Sequence, residues 1–272
     1  MGKLKGVADT LYIPLTARIN ISKRFPDFFY DEKALELEKE LPDDSIERNS
    51  GEYFYMASVC RYKVTDDMIR KFIKSHDRCN IINLGAGLET AYYRIKPAKA
   101  LFYEMDMPEV IDIRRRCLGE KDNDIFIAGD LFDISWADTI DRTLPSMVVV
   151  SGVFQYFEKE QVKQIIGRIT EAFENVEIVF DAMSSKAINY ANKYVRRTGN
   201  RSAAMHFFTD DPRELARECN VEFVEALPFF TEARRKLGRK LKVFTRIAMK
   251  VVDEGGRKGY IIRFASQRSG ER

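Results

Sequence analysis

The chain has 272 residues, 45% of them hydrophobic, which is enough for a large buried core in one elaborated α/β domain. Its 45 basic and 42 acidic residues leave a net charge of +3, without the basic excess of a dedicated nucleic-acid binder, so a small ligand suits it better than a long polyanion. The four cysteines form no C-x-x-C pair, and His76 and His206 stand apart from other ligand types, which argues against a disulfide framework or a metal centre.

The opening "MGKLKGVADTLYIPL" has no apolar stretch of signal-peptide length, and no run of about 18 apolar residues follows. A soluble cytoplasmic protein is expected, with no membrane and no nucleic-acid partner. Gly6 stands where an N-myristoylation pattern needs Ser or Thr. Residues 1–79 read as helical, broken by Pro14, Pro26 and Pro42, and are expected to form an N-terminal cap on the same domain rather than a separate one.

From Asn80 the chain alternates apolar runs with helical patterns. The runs are "NIINLG", "ALFYEMD", "DIFIAGD", "SMVVVSGV", "VEIVFDAM", "VEFVEALPFF" and "GYIIRFAS". Their Ile, Val and Phe content with little polar alternation predicts seven strands in a doubly wound, mostly parallel sheet covered on both faces. "MPEVIDIRRRCLG" predicts a helix with Pro108 in its first turn and Gly119 at its end, and "EKEQVKQIIGRITEAF" another with an apolar stripe at Val162, Ile165, Ile166 and Ile169.

Residues 184–220 separate the fifth and sixth strands and are expected to form a lid, because insertions at the carboxyl ends of parallel strands cover ligands in such sheets. The basic stretch Glu232 to Val251 is read as an amphipathic helix with Leu237, Leu241, Phe244 and Ile247 packed on the sheet and Lys and Arg outside. Membrane-surface or RNA binding is its alternative reading.

"NLGAGLET" places Gly85 and Gly87 where the first strand hands over, and glycine there permits positive φ and close ligand approach. A dinucleotide fingerprint needs a third glycine where this chain has Thr90. Glu89 also sets a negative charge where a pyrophosphate would dock, so a cationic, phosphate-free ligand fits better. Glu104 and Asp106 end the second strand about 20 residues on, where carboxylates can hold ribose hydroxyls. Asp130 and Leu131 follow the third, suited to an adenine amino group and ring. A glycine loop with three acidic strand ends fits S-adenosylmethionine.

The segments "CRYKVTDDMI", "NLGAGLETAYYRI", "FYEMDMPEVIDIRRR", "AGDLFD", "GVFQYFEKEQV" and "FDAMS" resemble the leucine carboxyl methyltransferase family, including its tetracenomycin-type polyketide carboxyl O-methyltransferase branch. The matches run from about Arg61 to Met183 and are densest at Gly85, Gly87, Glu89, Thr90, Arg94 and Tyr103 to Pro108. The resemblance implies a class I, Rossmann-like methyltransferase fold over 80–272 that uses S-adenosyl-L-methionine. It implies that Arg61 meets the methionine carboxylate, that Gly85, Ala86 and Gly87 wrap the methionine and ribose, that Glu104 and Asp106 hold the ribose, and that Asp130 and Leu131 take the adenine. Ser151 stands where the family usually has Glu, so Glu89 or a backbone carbonyl is expected at the cofactor ammonium. Tyr156 is the candidate residue on the acceptor side.

Methyl transfer to a carboxylate needs alignment and a cationic clamp but no base. Arg61, Arg94, Tyr156, Arg196, Arg197 and Arg201 are candidates for the clamp. A hydroxyl acceptor needs a base, for which His206 in the lid is the candidate imidazole. The function expected is S-adenosylmethionine-dependent O-methylation of a small molecule. The alternatives are an NAD-dependent oxidoreductase and a non-catalytic RNA- or membrane-binding module. A Gly85→Val substitution is expected to block the cofactor with little loss of fold.

Overall fold

The computed structural model describes residues 11–41, 51–197 and 204–267, with the backbone alone at 194–197. Each apolar run forms the strand predicted for it. The strands are β1 (Cys79–Leu84), β2 (Ala100–Asp106), β3 (Asp124–Ala128), β4 (Ser146–Val150), β5 (Val176–Met183), β6 (Glu222–Pro228) and β7 (Gly259–Ala265). They make one seven-stranded sheet in the order β3-β2-β1-β4-β5-β7-β6. β7 is antiparallel to both β5 and β6, whereas the pairs linking β3, β2, β1, β4 and β5 are parallel. The fold is a class I, Rossmann-like α/β fold. Its strand order reverses between β1 and β4, and in open α/β sheets the crevice outside the carboxyl ends at such a point is where ligands bind.

β1 and β4 are buried at every position because helices cover both faces. Alternate residues divide the core: Ile81, Phe102, Val149 and Val179 pack against the N-terminal helices, and Ile82, Tyr103, Val148 and Val150 against Val162, Ile165, Ile166 and Ile169 of α6 (Lys159–Ala172). The covering helices on the first face include α1 (Tyr12–Arg24) and α3 (Glu52–Ser75), joined by the short α2 (Glu32–Glu36). A five-residue α4 (Ala91–Ile95) follows β1, and α5 (Pro108–Leu118) follows β2, with Pro108 in its first turn and Gly119 closing it at φ 71°.

After β5, α7 (Ser185–Arg197) starts two residues past Met183, and α8 (Pro212–Glu218) leads into β6. The basic stretch that follows is not one helix. α9 (Thr231–Leu237) stops at Gly238, whose φ is 41°, and α10 (Val243–Glu254) starts after a turn of 3-10 helix. Leu237 and Leu241 are buried as expected, but Phe244 and Ile247 are exposed. The turn at Gly238 resets the helical phase, so Thr245 and Met249 occupy the inward face of α10.

Candidate functional site

The chain leaves β1 through Gly85 at φ 69° and Gly87 at φ 50°, and leaves the neighbouring β4 through Gly152 at φ 73°. Left-handed backbone at three points around the switch point is a conformation glycine adopts without penalty. The loop is fastened to the next strand: Gly85 and Ala86 donate their N–H groups to the Met105 carbonyl at 2.9 and 3.0 Å. Gly87 donates to Asp106 Oδ2 at 2.8 Å, and Met107 N–H donates to Asp106 Oδ1 at 2.7 Å. A carboxylate has further lone pairs, so the half-buried Asp106 can still accept from a ligand hydroxyl. Burial raises its pKa above the usual carboxylate value, although the two N–H donors oppose the shift.

Arg61, on α3, forms a 2.7 Å ion pair with Asp181 of β5. Asp181 also accepts the N–H of Gly152 at 2.5 Å. Burial opposes the charge on Arg61, but Asp181 beside it more than compensates and holds its pKa above the ordinary guanidinium value. Only Nη1 meets Asp181, which leaves donors in the guanidinium fork for an anion. Sequence reasoning gave Asp181 no role. The signal was an acid near the carboxyl end of an apolar strand, the same one that marked Asp106. Val150 pairs with Phe180 in the β4–β5 register, so Ser151 and Asp181 are the next residues along on adjacent strands.

Two expected ligand residues serve the scaffold instead. Glu104 is wholly buried: Asn83 Nδ2 donates to one oxygen at 3.0 Å, and Arg114 lies 3.4 Å from the other. Enclosed in this way it is closed to a ribose, which corrects its expected role. Burial drives its pKa up to about 8 despite Arg114. Arg114, also fully buried, donates through Nη1 to the carbonyls of Glu89 at 2.7 Å and Gly87 at 3.2 Å, so it secures the glycine loop from within.

Glu89 is paired with Arg94 at 2.7 Å and Arg18 at 3.4 Å. Its charge is therefore compensated, and the case against a pyrophosphate no longer rests on it; nor is it a free partner for an ammonium. A better reason against a dinucleotide lies in the backbone: α4 begins only after Thr90 and is five residues long, too short a helix to offer a pyrophosphate a dipole. Arg94, expected as an acceptor clamp, is engaged by Asp31 and Asp66, both at 2.8 Å. Burial would raise Asp31 and Glu89, but Arg94 and Arg18 hold both below their usual values. At Asp66 burial prevails and the pKa is raised. This buried network ties α1, α2 and α3 to the end of the glycine loop.

The remaining expected residues lie around the strand ends. Asp130 is exposed and caps the turn after β3 by accepting the N–H of Phe132 at 2.9 Å, with Leu131 half-buried beside it. Tyr156 is half-buried in the 3-10 turn Phe154–Tyr156 that follows Gly152. The segment before α8 meets this turn, since His206 N–H donates to the Gln155 carbonyl at 2.7 Å. The His206 ring is exposed and sits 2.9 Å from Glu158, so it belongs to the surface rather than to a base. Arg201 and the side chains of Arg196 and Arg197 lie outside the described residues. A Cβ at Gly85 would run into the side chain of Val153, so Gly85→Val is expected to disturb the fold as well as the ligand path.

The donor set fits S-adenosylmethionine. A guanidinium at the β4–β5 side matches an amino-acid carboxylate, Asp106 and Asp130 at the β2–β3 side match ribose and adenine, and bare glycine backbone lies between them. The leucine carboxyl methyltransferase family model matches residues 16–170. The protein belongs to the leucine carboxyl methyltransferase family. It is an S-adenosylmethionine-dependent methyltransferase. Among similar proteins, the tetracenomycin polyketide synthesis O-methyltransferase of Streptomyces glaucescens is 24% identical over 239 residues, 85% of this chain and 88% of its own. The fold resembles that of a Thermobifida fusca protein with a TM-score of 0.59, at 16% identity over 92% of this chain and 94% of the other. It also resembles magnesium protoporphyrin IX methyltransferase of Synechocystis PCC 6803, solved with bound S-adenosylhomocysteine, with a TM-score of 0.52 at 11% identity over 91% of this chain and 100% of the other.

Proposed function

We propose that this methyltransferase places the methyl group on an oxygen, a carboxylate or a hydroxyl, of a small acidic molecule, in the manner of the tetracenomycin-type branch. The observation that carries the reading is the Arg61–Asp181–Gly152 junction, a half-buried cation fixed against bare backbone at the switch point. In this reading Arg61 binds the amino-acid carboxylate of the cofactor. Gly85, Ala86 and Gly87 line its methionine and ribose, Asp106 accepts from the ribose hydroxyls, and Asp130 with Leu131 holds the adenine. Asp181, next to Ser151, supplies the acidic group that Ser151 lacks for the ammonium. Tyr156 orients the acceptor.

When bound, the cofactor supplies a methyl carbon already activated by its sulfonium. The residues of this chain then have to align the acceptor oxygen within about 3 to 3.5 Å and keep water out. A carboxylate acceptor is already an anion, so the site needs no base for it. Cytoplasmic location, a small-molecule acceptor and the lack of a nucleic-acid partner are part of the proposal.

The test is incubation with labelled S-adenosylmethionine and a panel of aromatic and polyketide-like acids and phenols, followed by mild alkali. A methyl ester releases its label as methanol and a methyl ether does not, so the outcome separates carboxyl from hydroxyl transfer. Label found only on nitrogen or carbon would overturn the reading.

A further inference from the structure

α10 carries an apolar stripe that the fold leaves uncovered. Phe244 is 70% exposed, Val243 66%, Ile247 59% and Val251 41%. At about 100° per residue these four fall within an arc of about 100° on the helix, and the buried Thr245 and Met249 lie on the other side. Single exposed apolar residues are ordinary, but four on one stripe mark an interaction face.

The surroundings say what kind. From Arg234 to Lys250 the chain has eight Lys and Arg and no Asp or Glu, although the whole protein is almost neutral at +3. Arg234, Lys236 and Lys250 are paired with Asp253, Glu232 and Glu254. Arg235, Arg239, Lys240, Lys242 and Arg246 are exposed and make no ion pair among the described residues. Two copies meeting through this face would bring these like charges together, which disfavours self-association. Three of the four apolar side chains are aliphatic and cannot stack on bases, which disfavours RNA. An apolar stripe edged by unpaired cations is what a helix lying in an anionic lipid surface presents.

We infer that α10 and the preceding Arg235–Lys242 turn dock the enzyme on an anionic lipid bilayer, with Val243, Phe244, Ile247 and Val251 entering the headgroup boundary. No described helix is long and apolar enough to cross a membrane, so the contact is superficial. It is also rigidly linked to the site: the Lys242 N–H donates to Glu52 Oε1 at 2.8 Å at the start of α3, the helix that bears Arg61. The docked face and the methyl-transfer centre thus sit on contacting elements.

Flotation of the full chain with vesicles of phosphatidylcholine alone, or with one-quarter phosphatidylglycerol, tests this. Binding is expected only to the anionic vesicles, weakening as salt is raised. Phe244→Ser with Ile247→Ser is expected to lower the partition at least about tenfold, and Lys240→Gln with Lys242→Gln and Arg246→Gln to lower it comparably. Should the serine variant fail to fold, Phe244→Trp gives the same answer, since brominated lipid quenches its emission when it is immersed and the native Trp136 is buried. No binding to anionic vesicles at low salt, or binding that both variants retain, overturns the inference. So does a concentration-dependent dimer that the serine variant alone abolishes, or a preference for RNA over vesicles.

Discussion

The guanidinium of Arg114 reaches the carbonyl oxygen of Glu89 at 2.7 Å, so a residue of α5 that no ligand would touch holds the end of the loop expected to receive the cofactor. The same guanidinium faces the buried Glu104 at 3.4 Å. Above about pH 8, where Glu104 is ionised, Arg114→Met is expected to destabilise the protein by about 3 to 5 kcal/mol, because it leaves that carboxylate buried without a counter-charge. Adding Glu104→Gln should recover a good part of that loss without recovering the carbonyl contacts. Chemical denaturation and S-adenosylhomocysteine calorimetry on the two variants check this, with affinity remaining low in the double variant although stability returns.

Glu104 also predicts a pH dependence. Its pKa is raised from 4.5 in the unfolded chain to about 8 in the fold, chiefly by burial. Between those values the folded form keeps a proton that the unfolded form has released. The stability contributed by this group is therefore full below about pH 4.5, declines as pH rises, and is lost above about pH 8. Thermal unfolding midpoints of the native chain should fall across that window more steeply than those of Glu104→Gln. Equal slopes would remove Glu104 as the cause.

Arg61→Ala should weaken S-adenosylhomocysteine binding by about tenfold or more, the scale of a charge-assisted hydrogen bond. The loss should vanish for a thioether nucleoside that lacks the amino-acid carboxylate. Calorimetry with both ligands separates a direct contact from general damage, because damage would weaken both. Asp181→Asn should also weaken the full ligand, since it removes the acidic group proposed for the ammonium and loosens the placement of Arg61.

Gly85 and Gly87 should not respond alike to alanine. Both have positive φ, which costs an L residue about 1 to 2 kcal/mol, but only at Gly85 does the new methyl meet Val153, while at Gly87 the nearest neighbour is Leu11 at 4.0 Å. Gly85→Ala is expected to lower the melting midpoint more than Gly87→Ala, as differential scanning calorimetry would measure.

The strands were legible because an uninterrupted apolar run such as "MVVV" can only be covered on two faces, and the loop was legible because its glycines precede an acidic strand end. Arg114 was not, because its partners are the carbonyls of Gly87 and Glu89, and a backbone acceptor leaves no trace in residue type. Glu104 misled for a related reason: sequence spacing located it at a strand end but did not reveal that Asn83 and Arg114 enclose it. The exposed face of α10 escaped because one glycine, Gly238, broke the helical phase on which the periodicity reading of Glu232 to Val251 depended.

The antiparallel placement of β7 between β5 and β6 bears on the order in which the sheet can be made. Among the described residues β6 finds its sheet partner only in β7. During synthesis β6 therefore emerges with neither edge paired, and it waits through α9 and α10 until Gly259–Ala265 has cleared the ribosome. Until then the only sheet pairings open to the chain are those among the five parallel strands, whose margin at β5 lacks its β7 partner.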